Sequence, residues 1–216
     1  CALPISPGVD VSVWTGRIGW SKVRKAGMRF AIIKATQGVT LVDSLLDYHA
    51  KAVRSNGIVP GAYHFFDYRK GVGGTEQADH FIDAAETAGL VRGALPPAVD
   101  IECYGPLGWA VWSWVVPELR AFVDRVFERT GRLPILYTSQ HMWSQVTGGA
   151  TGFGDLPLWV ACWRCRSPYM PTGWTAWRFW QIRPYAIPGL NARLDGNVYR
   201  GTDAALQRLR GRSEEH

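Results

Sequence analysis

The sequence predicts an α/β fold: a single modified (β/α) barrel with eight strands, mostly parallel, fewer than eight helices and irregular connections in its last third. Three observations support this prediction. Short apolar runs rich in β-forming residues alternate with helix-like segments along the first two thirds of the chain. Several helix-like segments end at a glycine, as in Asn56-Gly57 and Thr130-Gly131, which is a common helix stop. The later connections are short, rich in Gly, Pro and Trp, and show little helical pattern.

The predicted elements follow each other in a regular order. Strands are predicted at residues 8–12, 30–35, 59–66, 97–102, 134–138, 158–163, 177–182 and 195–199. Helices at residues 20–26, 45–56, 75–88 and 112–130 separate the first five strands, and a last helix is predicted at 202–209. Right-handed crossovers through helices give parallel strands, and eight strands suggest a closed barrel. Because the last connections are irregular, we expect some of the last strands to be antiparallel.

Length and composition indicate one globular domain. With 216 residues, 47% of them hydrophobic and 19% charged, the chain is long enough to bury a sizeable core. We expect an N-terminal extension at residues 1–7, the barrel at 8–210 and a C-terminal tail at 211–216. No apolar run approaches the roughly 18 residues of a membrane-spanning helix, so no membrane span is expected. We also expect a monomer.

The net charge of +6 favours an anionic partner. The arginines are scattered rather than clustered beside exposed aromatic residues, so nucleic acid is not the expected partner. A polyanionic cell envelope fits a diffuse basic surface. Because the chain begins at Cys1 rather than Met, we presume that a targeting segment has been removed and expect a secreted or envelope protein.

The cysteines are Cys1, Cys103, Cys162 and Cys165. The spacing of the last two is typical of metal sites, but no second pair with histidine partners accompanies them, so we expect neither a zinc site nor a cofactor. An even number of cysteines permits disulfides in an exported protein, with three pairings open. Cys1 is alternatively the lipid-bearing first residue of a bacterial lipoprotein.

Residues 96–102 form a short apolar run that ends in two acids, Asp100 and Glu102. Side chains two residues apart on a strand share a face, so these carboxylates point the same way, about 6–7 Å apart. Burying both costs free energy, and this cost is tolerated mostly where a reaction needs one proton donor and one anion. The alternative is that both acids lie in a solvated loop.

Active sites of (β/α) barrels gather at the carboxyl ends of the strands. There the sequence supplies the carboxylates of Asp10, Asp100, Glu102 and Asp195. It also supplies a lysine and an aromatic wall, namely Lys34, Tyr63, Phe65, Tyr137, Trp159 and Trp180.

Crowded carboxylates raise one another's pKa, so at least one keeps its proton near neutral pH. A protonated acid facing an anion suits glycosidic bond cleavage: one group protonates the leaving oxygen and the other stabilises the transition state or bonds to it. The aromatic side chains would bind the sugar rings. Lys34 either neutralises the acids or binds substrate, whereas His64 is expected to be a hydrogen-bonded core residue.

Together these residues resemble glycoside hydrolase family 25, the Chalaropsis-type lysozymes. The matching stretches run nearly the whole length of the chain, and their order and spacing are more specific than any one of them. They are Gly8-Val9-Asp10-Val11-Ser12, residues 30–38, Gly61-Ala62-Tyr63-His64-Phe65, Val99-Asp100-Ile101-Glu102, residues 134–138, Leu158-Trp159-Val160-Ala161 and Asp195-Gly196-Asn197.

The resemblance implies a muramidase that cleaves the β-1,4 bond between N-acetylmuramic acid and N-acetylglucosamine in peptidoglycan. It implies that Glu102 is the general acid and that Asp10, Asp100 and Asp195 are supporting carboxylates. Either a carboxylate such as Asp195 attacks or stabilises C1, or the substrate's N-acetyl group attacks while Asp100 orients it. Gln37 stands where the family usually has Glu, so we expect altered substrate contacts there.

Two alternatives to an active muramidase remain open. One is a barrel that binds peptidoglycan but has lost catalysis. The other is a hydrolase of a different amino-sugar polymer, such as chitin.

Overall fold

The computed structural model describes residues 4–103 and 112–210. Nine strands lie in one sheet within these ranges: Ile5–Val11 (β1), Phe30–Gln37 (β2), Leu41–Val42 (β3), Val59–Phe65 (β4), Ala98–Asp100 (β5), Ile135–Thr138 (β6), Leu158–Ala161 (β7), Phe179–Ala186 (β8) and Arg193–Arg200 (β9). β1 begins three residues before the predicted start, so part of the predicted N-terminal extension is barrel strand. The predicted tail lies outside the described residues.

Eight of the strands close into a barrel, as predicted. The hydrogen-bonded order is β1, β9, β8, β7, β6, β5, β4 and β2, and β2 pairs again with β1. Neighbouring barrel strands are parallel except at β9, which is antiparallel to both β8 and β1. The ninth strand, β3, was not predicted; it is a two-residue strand that pairs only with the end of β2.

Six α-helices lie in the described residues, fewer than eight as predicted. They are Trp20–Lys25 (α1), Leu46–Ser55 (α2), Gly74–Thr87 (α3), Trp112–Thr130 (α4), Gln140–Thr147 (α5) and Asp203–Arg208 (α6). α5 was missed, although Ser139 caps it by accepting a hydrogen bond from the Met142 amide and Gly148 ends it in a left-handed conformation. A short 3-10 helix, Val13–Thr15, follows β1. Among the described residues, no helix has the length and apolar character needed to cross a bilayer.

The side chains of the strands alternate between two apolar layers. One set of alternate residues fills the lower interior of the barrel, including Phe30, Ile32, Val59, Ala98, Ile135, Phe179 and Tyr199. The other set packs outward against the helices, including Ala31, Ile33, Val99, Phe81 of α3 and Phe122 of α4. The interior is therefore closed by packed side chains below, which leaves room for a pocket at the opposite rim.

The β8–β9 hairpin continues beyond the part of the sheet that β7 covers. β7 pairs with β8 only from Phe179 to Gln181, whereas β9 pairs with β8 as far as Ala186. A register shift between Gln181 and Arg183 marks the point where the hairpin leaves the barrel wall. The hairpin thus extends one side of the rim.

Candidate active site

The inward-facing positions at the rim carry the predicted acids. Asp10 and Asp100 lie at the carboxyl ends of β1 and β5, and Glu102 follows Asp100 on the same face. Asp195 differs from the prediction, because it lies near the start of β9 rather than at its end. It reaches the same rim because β9 is antiparallel, and its Cα is paired with that of Asp10. All four side chains line one pocket of about 330 Å³.

Each of the four carboxyl groups has a raised pKa. Burial and the charge of Asp195 raise the pKa of Asp10 to about 7. Burial, together with Glu102 and Asp10, raises the pKa of Asp100 well above its ordinary value, although Lys34 opposes the shift. Burial also raises the pKa of Asp195 and is the main cause for Glu102, where a hydrogen bond with Tyr137 opposes it. The pocket therefore retains protons near neutral pH.

Asp10 is held in place by two side-chain amides. Gln181 Nε2 and Asn197 Nδ2 donate to Asp10 Oδ2 at 2.9 and 2.7 Å. The amide oxygens are fixed in turn, because Trp163 Nε1 donates to Gln181 Oε1 at 2.8 Å and Trp159 Nε1 donates to Asn197 Oδ1 at 2.7 Å. These bonds fix which end of each amide faces the carboxylate. The floor of the pocket is thus a connected polar network.

Asp100 differs from Asp10, because its Oδ1 is buried without a hydrogen-bond partner among the described residues. A buried acceptor that lacks a partner is costly. Because Asp100 lines the pocket, a ligand there can supply the missing donor.

Lys34 also lines the pocket, where its ammonium group donates to Gln37 Oε1 at 2.9 Å. The same group lies 4.8 Å from the centre of the Phe65 ring. Gln37 itself is not among the residues that line the pocket; it is joined to the pocket by the hydrogen bond that it accepts from Lys34. The charge of Lys34 acts on Asp100 and Glu102, in both cases lowering the carboxyl pKa.

Four of the five aromatic residues predicted to line the pocket do so: Tyr63, Phe65, Tyr137 and Trp159. Trp180 does not. On β8 the alternate residues Phe179 and Gln181 face the interior and the pocket, so Trp180 faces outward, packs with Trp177 and donates to the Cys162 carbonyl. The prediction chose the wrong face of this strand.

Four further residues line the pocket without having been predicted as site residues: Ser12, Trp14, Trp163 and Gln181. Trp14 is 91% exposed and Trp163 is 53% exposed. The position of Trp14 directly after the Asp10-containing strand is a signal that sequence reasoning had available. Trp163 lies between Cys162 and Cys165, which form a disulfide.

His64 is a buried core residue, as predicted. It shares hydrogen bonds with Thr36 Oγ1 at 2.8 Å and with Gln77 Oε1 at 3.1 Å. Burial lowers its pKa to about 3. It does not line the pocket.

Comparison with known proteins identifies the family. The model of glycosyl hydrolases family 25 matches residues 9–186, which include all of the predicted acids except Asp195. The chain belongs to glycoside hydrolase family 25. It is therefore a glycosidase, and its eight-stranded barrel is the fold of that family's lysozymes.

Curated relatives of this family 25 chain include bacterial and fungal enzymes. Lysozyme M1 of Streptomyces globisporus is 35% identical over 210 residues, which cover 94% of this chain and 70% of that protein. The N,O-diacetylmuramidase of Chalaropsis sp. is 32% identical over 200 residues, which cover 88% of this chain and 94% of that protein.

The solved structures that resemble this chain include lysozymes as well. The bacterial lysozyme from Streptomyces coelicolor superposes with a TM-score of 0.84 at 33% identity, covering 94% of this chain and 95% of that one. A family 25 lysozyme from Aspergillus fumigatus gives a TM-score of 0.82 at 28% identity, covering 97% of this chain and 100% of that one. The family 25 barrel therefore extends over almost the whole of this chain.

Proposed function

We propose that this chain is a peptidoglycan muramidase that hydrolyses the β-1,4 bond between N-acetylmuramic acid and N-acetylglucosamine. The observation that carries the proposal is the convergence of Asp10, Asp100, Glu102 and Asp195 in one rim pocket. Burial raises the pKa of all four, and repulsion by neighbouring acids adds to the rise for all but Asp195. The relatives named lysozyme and N,O-diacetylmuramidase support the choice of substrate.

Glu102 is the general acid in this proposal. Its raised pKa keeps the carboxyl protonated at a higher pH than a free glutamate would be, so it can donate a proton to the leaving oxygen. Burial is the main cause of the raised pKa; Asp195 adds to the rise, and Tyr137 and Lys34 oppose it. The sum of these effects sets the pH above which the proton is lost and activity declines.

Asp100 is the residue proposed to orient the substrate's N-acetyl group. The unpartnered Oδ1 is a ready acceptor for an amide N–H, and an oriented acetamide oxygen can then attack C1. The alternative nucleophile or stabilising anion is Asp195, on the opposite side of the barrel rim from β5. Neither Asp10, held by two amides, nor Lys34 is assigned a chemical step; both shape the field of the pocket.

The proposed partner is the bacterial cell wall, and the proposed place of action is outside the producing cell or in its envelope. We further propose that the protein acts as a monomer and does not bind nucleic acid. The basic surface is consistent with attraction to an anionic wall.

Replacing the proposed acid tests the function. Glu102→Gln keeps the shape of the side chain but removes its transferable proton, so release of reducing ends from purified peptidoglycan should fall by about 10²- to 10⁴-fold. Thermal unfolding should show that the variant is folded. Exposed Glu76 on α3 gives a matched control, and Glu76→Gln should keep wild-type activity.

Full activity of Glu102→Gln would refute the assignment of the acid. Wild-type protein that sediments with insoluble peptidoglycan but releases no reducing ends would instead indicate a wall-binding barrel. Release from chitin alone would show that the polymer is wrong.

A further inference from the structure

A second cavity adjoins the acid pocket on the side of the β8–β9 hairpin. It has a volume of about 830 Å³ and is referred to below as the arginine groove; its lining residues are Trp163, Arg164, Arg183, Pro184, Tyr185, Ala186 and Arg193. Trp163 lines both the groove and the acid pocket, so the two cavities adjoin at this residue. A polymer that crosses the pocket can therefore reach the groove.

The charge of the groove is entirely positive. Its lining includes the guanidinium groups of Arg164, Arg183 and Arg193 and no carboxylate. Among the residues that the structure describes, none of these three side chains forms an ion pair, whereas Arg129 on α4 pairs with Asp79, Asp83 and Glu86. Three neighbouring cations without a counter-charge favour an anionic ligand.

The backbone and packing hold this groove in shape. The Tyr185 ring lies against Gly196 of β9, where an added Cβ would come within 2.4 Å of the ring. The Arg183 guanidinium lies 5.9 Å from the centre of the Tyr185 ring. On the other wall, Arg164 follows Trp163 inside the segment closed by the Cys162–Cys165 disulfide, and its amide donates to the Ile182 carbonyl at 3.0 Å. The groove is thus a preformed surface that combines arginine side chains with the aromatic rings of Trp163 and Tyr185.

We infer that the arginine groove binds an anionic substituent, a carboxylate or a phosphate, of the same polymer whose glycosidic bond lies in the acid pocket. The inference rests on the proposed muramidase function. An anionic substituent is repelled by the negative charge that the acid pocket retains and attracted by the three arginines. The opposite charges of the two cavities therefore determine which stretch of the polymer lies in the acid pocket. They also favour binding of charged over uncharged chains.

Binding measurements on soluble glycan chains test this inference. The Glu102→Gln background keeps the chains intact, and calorimetry gives Kd for three ligands: chains with free peptide carboxylates, the same chains after chemical amidation of those carboxylates, and amidated chains that retain a phosphodiester polymer. We expect Kd for at least one anionic ligand to be about tenfold lower than for the amidated chains. Whether it is the first or the third ligand identifies carboxylate or phosphate.

Adding Arg183→Gln and Arg193→Gln should bring the Kd values of charged and amidated chains close together. The control is Arg92→Gln with Arg178→Gln, which removes the same charge from two exposed arginines that line neither the acid pocket nor the groove and should keep the preference. Thermal unfolding of both variants verifies folding.

Equal Kd values for all three ligands would overturn the inference, as would an equal loss of preference in the control. Cleavage of peptidoglycan by the wild-type chain is measured separately. A chain that prefers anionic ligands but cleaves nothing would contradict the proposed function, whereas one that cleaves without preference would contradict only the role of the groove.

Discussion

The Asp10 carboxyl group is held firmly by hydrogen bonds, but its surroundings disfavour its charged form. Two amides donate to its Oδ2, yet burial and Asp195 still raise its pKa to about 7. In the unfolded chain its pKa is near 3.8, so the folded state binds more protons between about pH 4 and 7. This carboxyl therefore makes the protein less stable as the pH rises through that window.

Asp10→Asn tests this sign directly. Removal of the charge should stabilise the variant relative to wild type increasingly from pH 4 to pH 7, with little further change above. The pKa shift corresponds to at most about 4 kcal/mol, since one pKa unit is about 1.4 kcal/mol. Denaturant unfolding at pH 4 and pH 8 measures the difference, and a variant whose relative stability is independent of pH would contradict the raised pKa.

For individual residues, the sequence predicted the inward face correctly on one strand and wrongly on another. Alternation along β5 correctly put Asp100 and Glu102 on one inward face. The same rule needs the correct phase, and on β8 the choice of Trp180 instead of Gln181 was out by one residue. Residues 177–182 do not show the phase of the strand, because large apolar residues occur at both odd and even positions.

Among the elements, the 3-10 helix Val13–Thr15 is short but bears directly on the site. Ser12 caps it, and Trp14 lines the pocket while being 91% exposed. An indole so exposed contributes little to the core, so its position favours a role as a platform for a sugar ring.

Trp14→Ala should therefore raise KM for peptidoglycan roughly fivefold, equivalent to about 1 kcal/mol of binding. The free energy of unfolding should change by less than about 0.5 kcal/mol. Tyr169, which is 67% exposed and does not line the pocket, supplies the control Tyr169→Ala. An unchanged KM for Trp14→Ala would remove this residue from the site.

The contact between α3 and α4 depends on the absence of a side chain at Gly74. A Cβ there would lie 1.7 Å from the Glu118 carbonyl oxygen and 3.0 Å from the Phe122 amide nitrogen. The Gly74 amide also donates to the Glu118 carboxylate at 2.7 Å. Because the obstructing atoms belong to the backbone, a side chain at this position can be accommodated only if the helices move apart.

Gly74→Ala should destabilise the protein by about 1–3 kcal/mol, a decrease in Tm of several degrees for a chain of this length. At Gly152 the nearest atom to an added Cβ is 3.7 Å away, so Gly152→Ala is the matched control and should be nearly neutral. Thermal unfolding measures the Tm of both variants. A Gly74→Ala variant as stable as the control would mean that the two helices are not packed this closely.

At the scale of the whole molecule, the sequence predicted the closed barrel because apolar strands and helices alternate regularly as far as residue 138. It did not predict the extension of β8 and β9 beyond the rim, because Arg183, Pro184 and Arg193 give no alternating apolar pattern. Nor did it predict that Asp195 reaches the pocket from the start of its strand. Both features follow from the antiparallel last strand.

This last strand also contributes one charged residue to each of the two cavities. It contributes Asp195 to the acid pocket and Arg193, two residues away, to the arginine groove. A single hairpin therefore links the proposed chemistry to the inferred selection of charged chains.

The central claim is that the protein, through its four-carboxylate pocket, hydrolyses the bond from C1 of N-acetylmuramic acid to the next N-acetylglucosamine in peptidoglycan. Mass spectrometry of the fragments that wild-type protein releases from purified peptidoglycan of known structure tests it most directly. We predict new reducing ends on N-acetylmuramic acid, and their loss with Glu102→Gln. New reducing ends on N-acetylglucosamine, or the same fragments from the Glu102→Gln variant, would contradict the account.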